Sequence, residues 1–362
     1  MRGLVACSVL LAGCELLAPF PDPPASSAAE PPGVGGDGGP TGDRFREPMR
    51  LGLATSAPIH SISVADVDLD GHLDLVVTTE NDLIVQSGAD GTFEAPPRSL
   101  PVAAPLVRTV IADVSGDLRP DLVAASAQQL AVFPGQPDGT FAPPTTIDLD
   151  STTLISSIAA GQLIGDARTD LVVGANDGVW LLRGSDEGFI PGQQTQYGDV
   201  VGVVLADVAP APGVEEIVIE PRRISIAGVS HFNELLFDRT ISDLVAADLD
   251  GDQNPELIVG SNDAIEVVHQ ADDTRTQIAL GGRRDGLAAG DFDGDGDQDI
   301  ATTTGGDLMM LWNDHGELTA EVVLTGLGPG VTTIGAERID TDNRADIVLG
   351  IASDVAILLT AP

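Results

Sequence analysis

Lysine is missing from this chain. All 17 basic residues are arginine, against 56 Asp and Glu, for a formal net charge of −39. A surface this acidic repels polyanions, which argues strongly against nucleic acid or anionic membrane surfaces as partners. Aromatic residues are scarce too, at 3% with two Trp and one Tyr. Sugar-binding surfaces usually present several aromatic platforms, so the shortage counts against a lectin. The only cysteines, Cys7 and Cys14, lie at the extreme N-terminus, so no disulfide can staple the rest. The five histidines (His60, His72, His231, His269 and His315) are dispersed and outside any HExxH spacing, and no GxSxG elbow occurs. No catalytic constellation is therefore expected. A carboxylate pair assembled in space, as in an enzyme acting on polysaccharide, is the alternative such counts leave open.

What the chain has in excess is acid, and the acid is patterned. In "DFDGDGDQD", Asp291, Asp293, Asp295 and Asp299 occupy relative positions 1, 3, 5 and 9, with Gly296 at position 6. Carboxylates this close repel unless a cation sits among them. Hard oxygen ligands alternating in a short loop suit Ca²⁺, and a Gly at position 6 permits the turn that wraps the ion. An EF-hand would need Glu at position 12, but that residue is Thr302, and "DIATTT" (299–304) reads as a strand.

The pattern recurs. Asp66, Asp68, Asp70 and Asp74 keep the same offsets. So do Asp113, Ser115, Asp117 and Asp121, then Asp248, Asp250, Asp252 and Glu256. A further copy keeps Asp340, Asp342 and Asp346 but has Arg338 at position 1. Two copies are eroded, one retaining Asp166 and Asp170, the other Asp207 and the pair Glu215–Glu216. The last acids fall at 74, 121, 170, 216, 256, 299 and 346, so seven units recur every 40 to 49 residues. Within the first unit, apolar runs at 62–65, 75–79 and 83–87 and a Pro-containing run at 93–102 are separated by the acidic loop, "END" and "GADGT". Four short antiparallel strands in each of seven units predict an all-β, seven-bladed β-propeller. The last unit stops after its third strand, while 45–55 looks like a spare outer strand. The N-terminal strand is thus expected to complete the last blade.

These residues resemble the FG-GAP/VCBS repeats of integrin α-subunit propellers, over about 44–362. The resemblance implies Ca²⁺ in the loop between the first two strands of a blade, with a ligand face on the opposite side of the disc. It implies as ligands Asp66, Asp68, Asp70 and Asp74 with the His72 carbonyl, and Asp113, Ser115, Asp117 and Asp121 with the Arg119 carbonyl. It likewise implies Asp248, Asp250, Asp252 and Glu256 with the Asn254 carbonyl, and Asp291, Asp293, Asp295 and Asp299 with the Asp297 carbonyl. Asp340, Asp342 and Asp346 form a defective set because Arg338 puts a cation where an oxygen belongs. Blades 3 and 4 are not assigned metal.

Ahead of the repeats, Arg2 precedes the apolar run "LVACSVLLAG" (4–13), too short to span a bilayer. "LLAGC" (10–14) resembles a bacterial lipobox, which implies a signal peptide over 1–13 and lipidation of Cys14; Glu15 rather than Asp points to the outer membrane. Residues 14–43 are rich in Pro, Gly, Ser and Ala and read as a disordered tether. The expected location is the cell envelope, with membrane contact only through the lipid. On the face away from the acidic loops, Arg222, Arg223, Arg239, Arg283 and Arg284 are expected to gather in one sector. Arg offers bidentate geometry for an acidic protein or carboxylated glycan. The leading expectation is a calcium-stabilised binding or adhesion module; a structural envelope subunit is the third reading.

Overall fold

A computed structural model describes residues 44–361 apart from short stretches, the longest being 207–214. The signal peptide, Cys14 and the tether lie outside the described residues. Seven four-stranded antiparallel sheets succeed one another along the chain, and no helix occurs among the described residues. Blade 1 comprises Ile59–Ala65, Asp74–Thr79, Leu83–Gln86 and Arg98–Leu100, ordered from the inside of the ring outward. Its outer strand is shorter than the run at 93–102 suggested, because Pro96 and Pro97 offer no N–H to a ladder. Blade 7 comprises Val331–Glu337, Asp346–Ile351 and Asp354–Leu358, and its fourth strand is Met49–Leu51 from the other end of the chain. The expected closing strand is present but reduced to three residues, extended by a bridge between Phe45 and Thr360.

The second strand of each blade shows why this sequence makes a ring. Asp74–Thr79, Asp121–Ser126, Asp170–Ala175, Glu256–Ser261, Asp299–Thr304 and Asp346–Ile351 are buried along their whole length. A strand with sheet neighbours on both sides and a blade against each face has no polar side, so it reads as a continuous apolar run. The faces diverge with period two. Leu75 and Val77 pack with Val348, Val355 and Ile357 of blade 7, whereas Val76 packs with Leu106, Leu122 and Phe133 of blade 2. Seven apolar clusters result, one between each pair of adjacent blades, including blades 7 and 1. Small residues set the spacing: a Cβ on Gly290 would lie 2.6 Å from that of Ala345 in the next blade.

Candidate metal centres on one face of the disc

Every acidic loop joins the first strand of a blade to the second, so all lie at one end of the ring. In the loops of blades 1, 2, 5 and 6, positions 4 and 6 both have positive φ: Leu69 and Gly71, Gly116 and Leu118, Gly251 and Gln253, Gly294 and Gly296. This double left-handed turn aims backbone N–H groups inward, and the position-1 acid collects them. Asp66 accepts from Asp70 and Gly71 (3.1 and 2.9 Å), Asp113 from Gly116 and Leu118 (2.7 and 2.8 Å). Asp248 accepts from Gly251 and Gln253 (2.8 and 2.9 Å), and Asp291 from Gly294 and Gly296 (2.7 and 3.1 Å). The position-5 acid then accepts from the N–H at position 7, as Asp70 does from His72 and Asp295 from Asp297 (2.9 Å each).

The wrapping brings carboxylates together. Asp66, Asp68 and Asp70, then Asp248, Asp250 and Asp252, then Asp291, Asp293 and Asp295 each place three oxygens within 4.8 Å of one another. Burial, followed by the like charge of Asp70 and Asp66, raises the pKa of Asp68; burial and then Asp295 raise that of Asp293. Asp68 Oδ1 is buried without a hydrogen-bond partner. Converging hard oxygens, one of them orphaned, fit a divalent cation with oxygen preference.

The position-9 acid has a second job that sequence reasoning missed. It is buried, and its two oxygens tie the loop's second residue to the exit of the blade's third strand. Asp74 accepts from Val67 and Gly88 (both 2.9 Å), and Asp299 from Phe292 (3.1 Å) and Asn313 (2.8 Å). Asp121, Asp170 and Asp346 do the same with Val114 and Gly135, Leu163 and Gly184, Ile339 and Thr360. Burial outweighs these bonds and pushes Asp74 and Asp346 up to about 6 and Asp299 up to about 7. The nearby carboxylates of Asp293 and Asp295 add to the shift at Asp299, so the clamp stands beside the proposed ion position.

Two loops differ. In blade 2, Ser115 replaces the position-3 acid, and the Arg119 side chain pairs with Asp117 and donates to the Gly135 carbonyl (3.2 Å). In blade 7 the cation comes from the closing segment: Arg46 lies 3.1 Å from Asp340 and 4.0 Å from Asp342. Arg338, at position 1 of this loop, is exposed. Arg44 similarly reaches Asp293 of blade 6 at 3.3 Å and stacks 4.2 Å above the ring of Trp312. Trp312 and Trp180 are half-buried rather than core residues, and their indole N–H groups donate to Glu321 and Asp177. His72 uses Nδ1 to accept the Asp90 N–H (3.2 Å) in the outer hairpin of its own blade. The loops also meet the next blade's outer hairpin. A Cβ on Gly139 of blade 2 would lie 2.6 Å from that of Asp68 in blade 1.

On the opposite face, the Arg sector is partly neutralised within the chain. Arg223 pairs with Glu220 and Glu234, and Arg239 lies 3.1 Å from Asp263. Arg222 is exposed, in a turn whose carbonyl accepts from Phe237. Arg283 and the side chain of Arg284 lie outside the described residues, as do Asp166 and Asp207.

A model of the FG-GAP-like repeat matches residues 66–123, 113–173 and 248–302. No curated protein matches the chain. Among solved structures, the chain is similar to BBS1N in complex with ARL6DN in a crystal soaked with lead. That match has 14% identity, TM-score 0.61, and coverage of 83% of this chain and 91% of that one. It is also similar to a catalytically inactive variant of virginiamycin B lyase from Staphylococcus aureus with quinupristin, at 12% identity, TM-score 0.61, and coverage of 86% and 99%. Likeness at such identity is one of fold alone. Three matched FG-GAP-like repeats set in a ring of seven four-stranded blades support an FG-GAP β-propeller family for this chain.

Proposed function

We propose that the chain is a calcium-binding propeller of the bacterial cell envelope, tethered through a lipidated Cys14, that holds a protein or carboxylated-glycan partner. The observation that carries the calcium reading is the set of three carboxylate triads at loop positions 1, 3 and 5 of blades 1, 5 and 6. Each would hold one ion, with the position-7 carbonyl and the position-9 acid close by. Blade 2 holds none in this reading, because Arg119 already neutralises Asp117 and Ser115 brings no charge. Blade 7 holds none because Arg46 stands in for the ion. This narrows the ligand sets implied by the repeat alone.

The partner reading rests on the face away from the loops. Arg222 is exposed there, and Arg239 would exchange Asp263 for a carboxylate of the partner. Isothermal titration of chelator-stripped protein tests the metal. About three Ca²⁺ per chain are expected, with affinities of roughly 10⁻⁴ to 10⁻³ M, typical of extracellular modules; no heat and no change in melting temperature would overturn the reading. Pull-down from envelope extract with Arg222→Glu and Arg239→Glu tests the partner, and unchanged capture would overturn that half. Cys14→Ser should release the protein from the membrane fraction.

A further inference from the structure

The blade 5 loop differs from its sisters in one position and one neighbour. In five other described loops the position-9 acid is Asp, and its Oδ1 accepts the N–H at the exit of the third strand: Gly88, Gly135, Gly184, Asn313 and Thr360. Blade 5 has Glu256 instead. Its Oε2 still accepts from Leu249 (2.9 Å), but Oε1 lies 3.1 Å from Nδ1 of His269, the last residue of the third strand. The longer side chain has moved that oxygen off the backbone and onto an imidazole. Asp250, at loop position 3, brings a third ligand atom, and all three lie within 4.8 Å of one another. Glu256 is buried and His269 half-buried, so the imidazole is held by packing rather than hanging in solvent. Asp250 also belongs to the triad with Asp248 and Asp252, so the two groups share one residue.

We infer that blade 5 is a site for a first-row divalent transition ion, of the Mn²⁺ or Zn²⁺ class, and that His269 sets this preference over calcium. The warrant is donor chemistry. Ca²⁺ and Mg²⁺ take oxygen, whereas an imidazole nitrogen favours the borderline first-row ions. The 3.1 Å separation of Nδ1 and Oε1 also lies within the range one ion would impose, because two ligands at about 2.1 Å from it stand about 3.0 Å apart at the octahedral angle and about 3.4 Å at the tetrahedral one. Blades 1 and 6 have no nitrogen in their triads and remain oxygen-only. The inference deepens the calcium reading at one of its three loops and rests on the same loop geometry.

The test uses untagged, chelator-stripped full-length protein titrated with Co²⁺ in excess Ca²⁺, followed by visible absorption and calorimetry. One equivalent of Co²⁺ is expected to bind with a d–d spectrum showing nitrogen ligation. His269→Ala should weaken it by about tenfold or more and leave Ca²⁺ uptake at blades 1 and 6 unchanged. His315→Ala, which removes the exposed imidazole beside Asp297 and Asp314, should leave Co²⁺ uptake intact. Equal Co²⁺ binding by wild type and His269→Ala, no Co²⁺ binding at all, or loss that follows His315 would each overturn the inference. If Co²⁺ binds through His269 while Ca²⁺ binds nowhere, the calcium reading falls and this one stands.

Discussion

Replacing Asp299 and Asp293 separately by alanine divides the two jobs of the acidic loop. Asp299 is fully buried and accepts two backbone N–H bonds. Asp299→Ala strands both donors, at about 1–3 kcal/mol each. Part of that loss is offset because burial already disfavours the Asp299 anion, whose pKa stands at about 7. A net loss of roughly 1–4 kcal/mol is expected in chelator. Asp293 offers much less without metal. It accepts a weak bond from Asp295 (3.3 Å) and a half-exposed ion pair from Arg44, while being repelled by Asp291 and Asp295. Such a pair contributes about 0–1 kcal/mol, so Asp293→Ala should shift the chelated protein by less than that. Calcium changes the comparison. If free Ca²⁺ is about 100-fold above Kd, losing one ion removes roughly 2.7 kcal/mol, and Asp293→Ala becomes clearly destabilising. Urea denaturation of both variants in EGTA and in Ca²⁺ reads all four numbers. Equal destabilisation by the two substitutions in EGTA would refute the division of labour.

Leu118 sits at φ 67, a conformation that costs a bulky residue about 1–2 kcal/mol, so Leu118→Gly should raise the urea midpoint; a fall would refute the strain. Arg46→Gln leaves Asp340 and Asp342 unpaired at the seam and should lower stability in EGTA by about 1 kcal/mol, with added salt shrinking the difference. The chelated protein should also lose stability as pH rises. Asp74 and Asp346 at about 6, Asp299 at about 7 and Glu337 at about 8 are all raised, chiefly by burial. A raised carboxylate stabilises fully below its unfolded value and loses that stabilisation through its folded one, so melting temperature should fall between about pH 4 and pH 8. A rise in EGTA over that interval would refute the assignment. Glu337 ends the first strand of blade 7 where the other blades have Ala65, Ala112, Gly161, Ala206, Ala247 and Gly290, and Glu337→Ala should remove the high-pH part of the fall.

The architecture was legible because it is written locally and seven times over. The acidic loop marks each join of first and second strands, and the buried second strand follows it as an unbroken apolar run. The turn was only half legible. Gly71 advertised position 6, but position 4 of the same loop carries Leu69, whose side chain gives no hint that its backbone is left-handed. The clamp role of Asp299 was hidden because its second donor, the Asn313 N–H, carries no side-chain signature. Arg46 was invisible for a different reason. Its partners Asp340 and Asp342 belong to the opposite end of the chain, and only ring closure brings them together. The pairing of Arg239 with Asp263 joins the link that enters blade 5 to a turn of that blade, so counting arginines on one face overstated the charge available to a partner.

The three-residue closing strand also decides how the ring carries mechanical load. The Arg44 carbonyl accepts from Ala361, Arg46 donates to the Leu359 carbonyl, and Met49–Leu51 lies along Asp354–Leu358. Tension applied ahead of residue 44 is therefore borne first by this short seam and by the Arg46 contacts, not by the longer ladders inside the other blades. Pulling should peel the closing strand as a first, low-force event and leave six blades intact behind it. Blade 7 then loses its outer strand at one fixed place, while Val348, Val355 and Ile357 still pack on Leu75 and Val77 of blade 1, and the strand can pair again when the force is released.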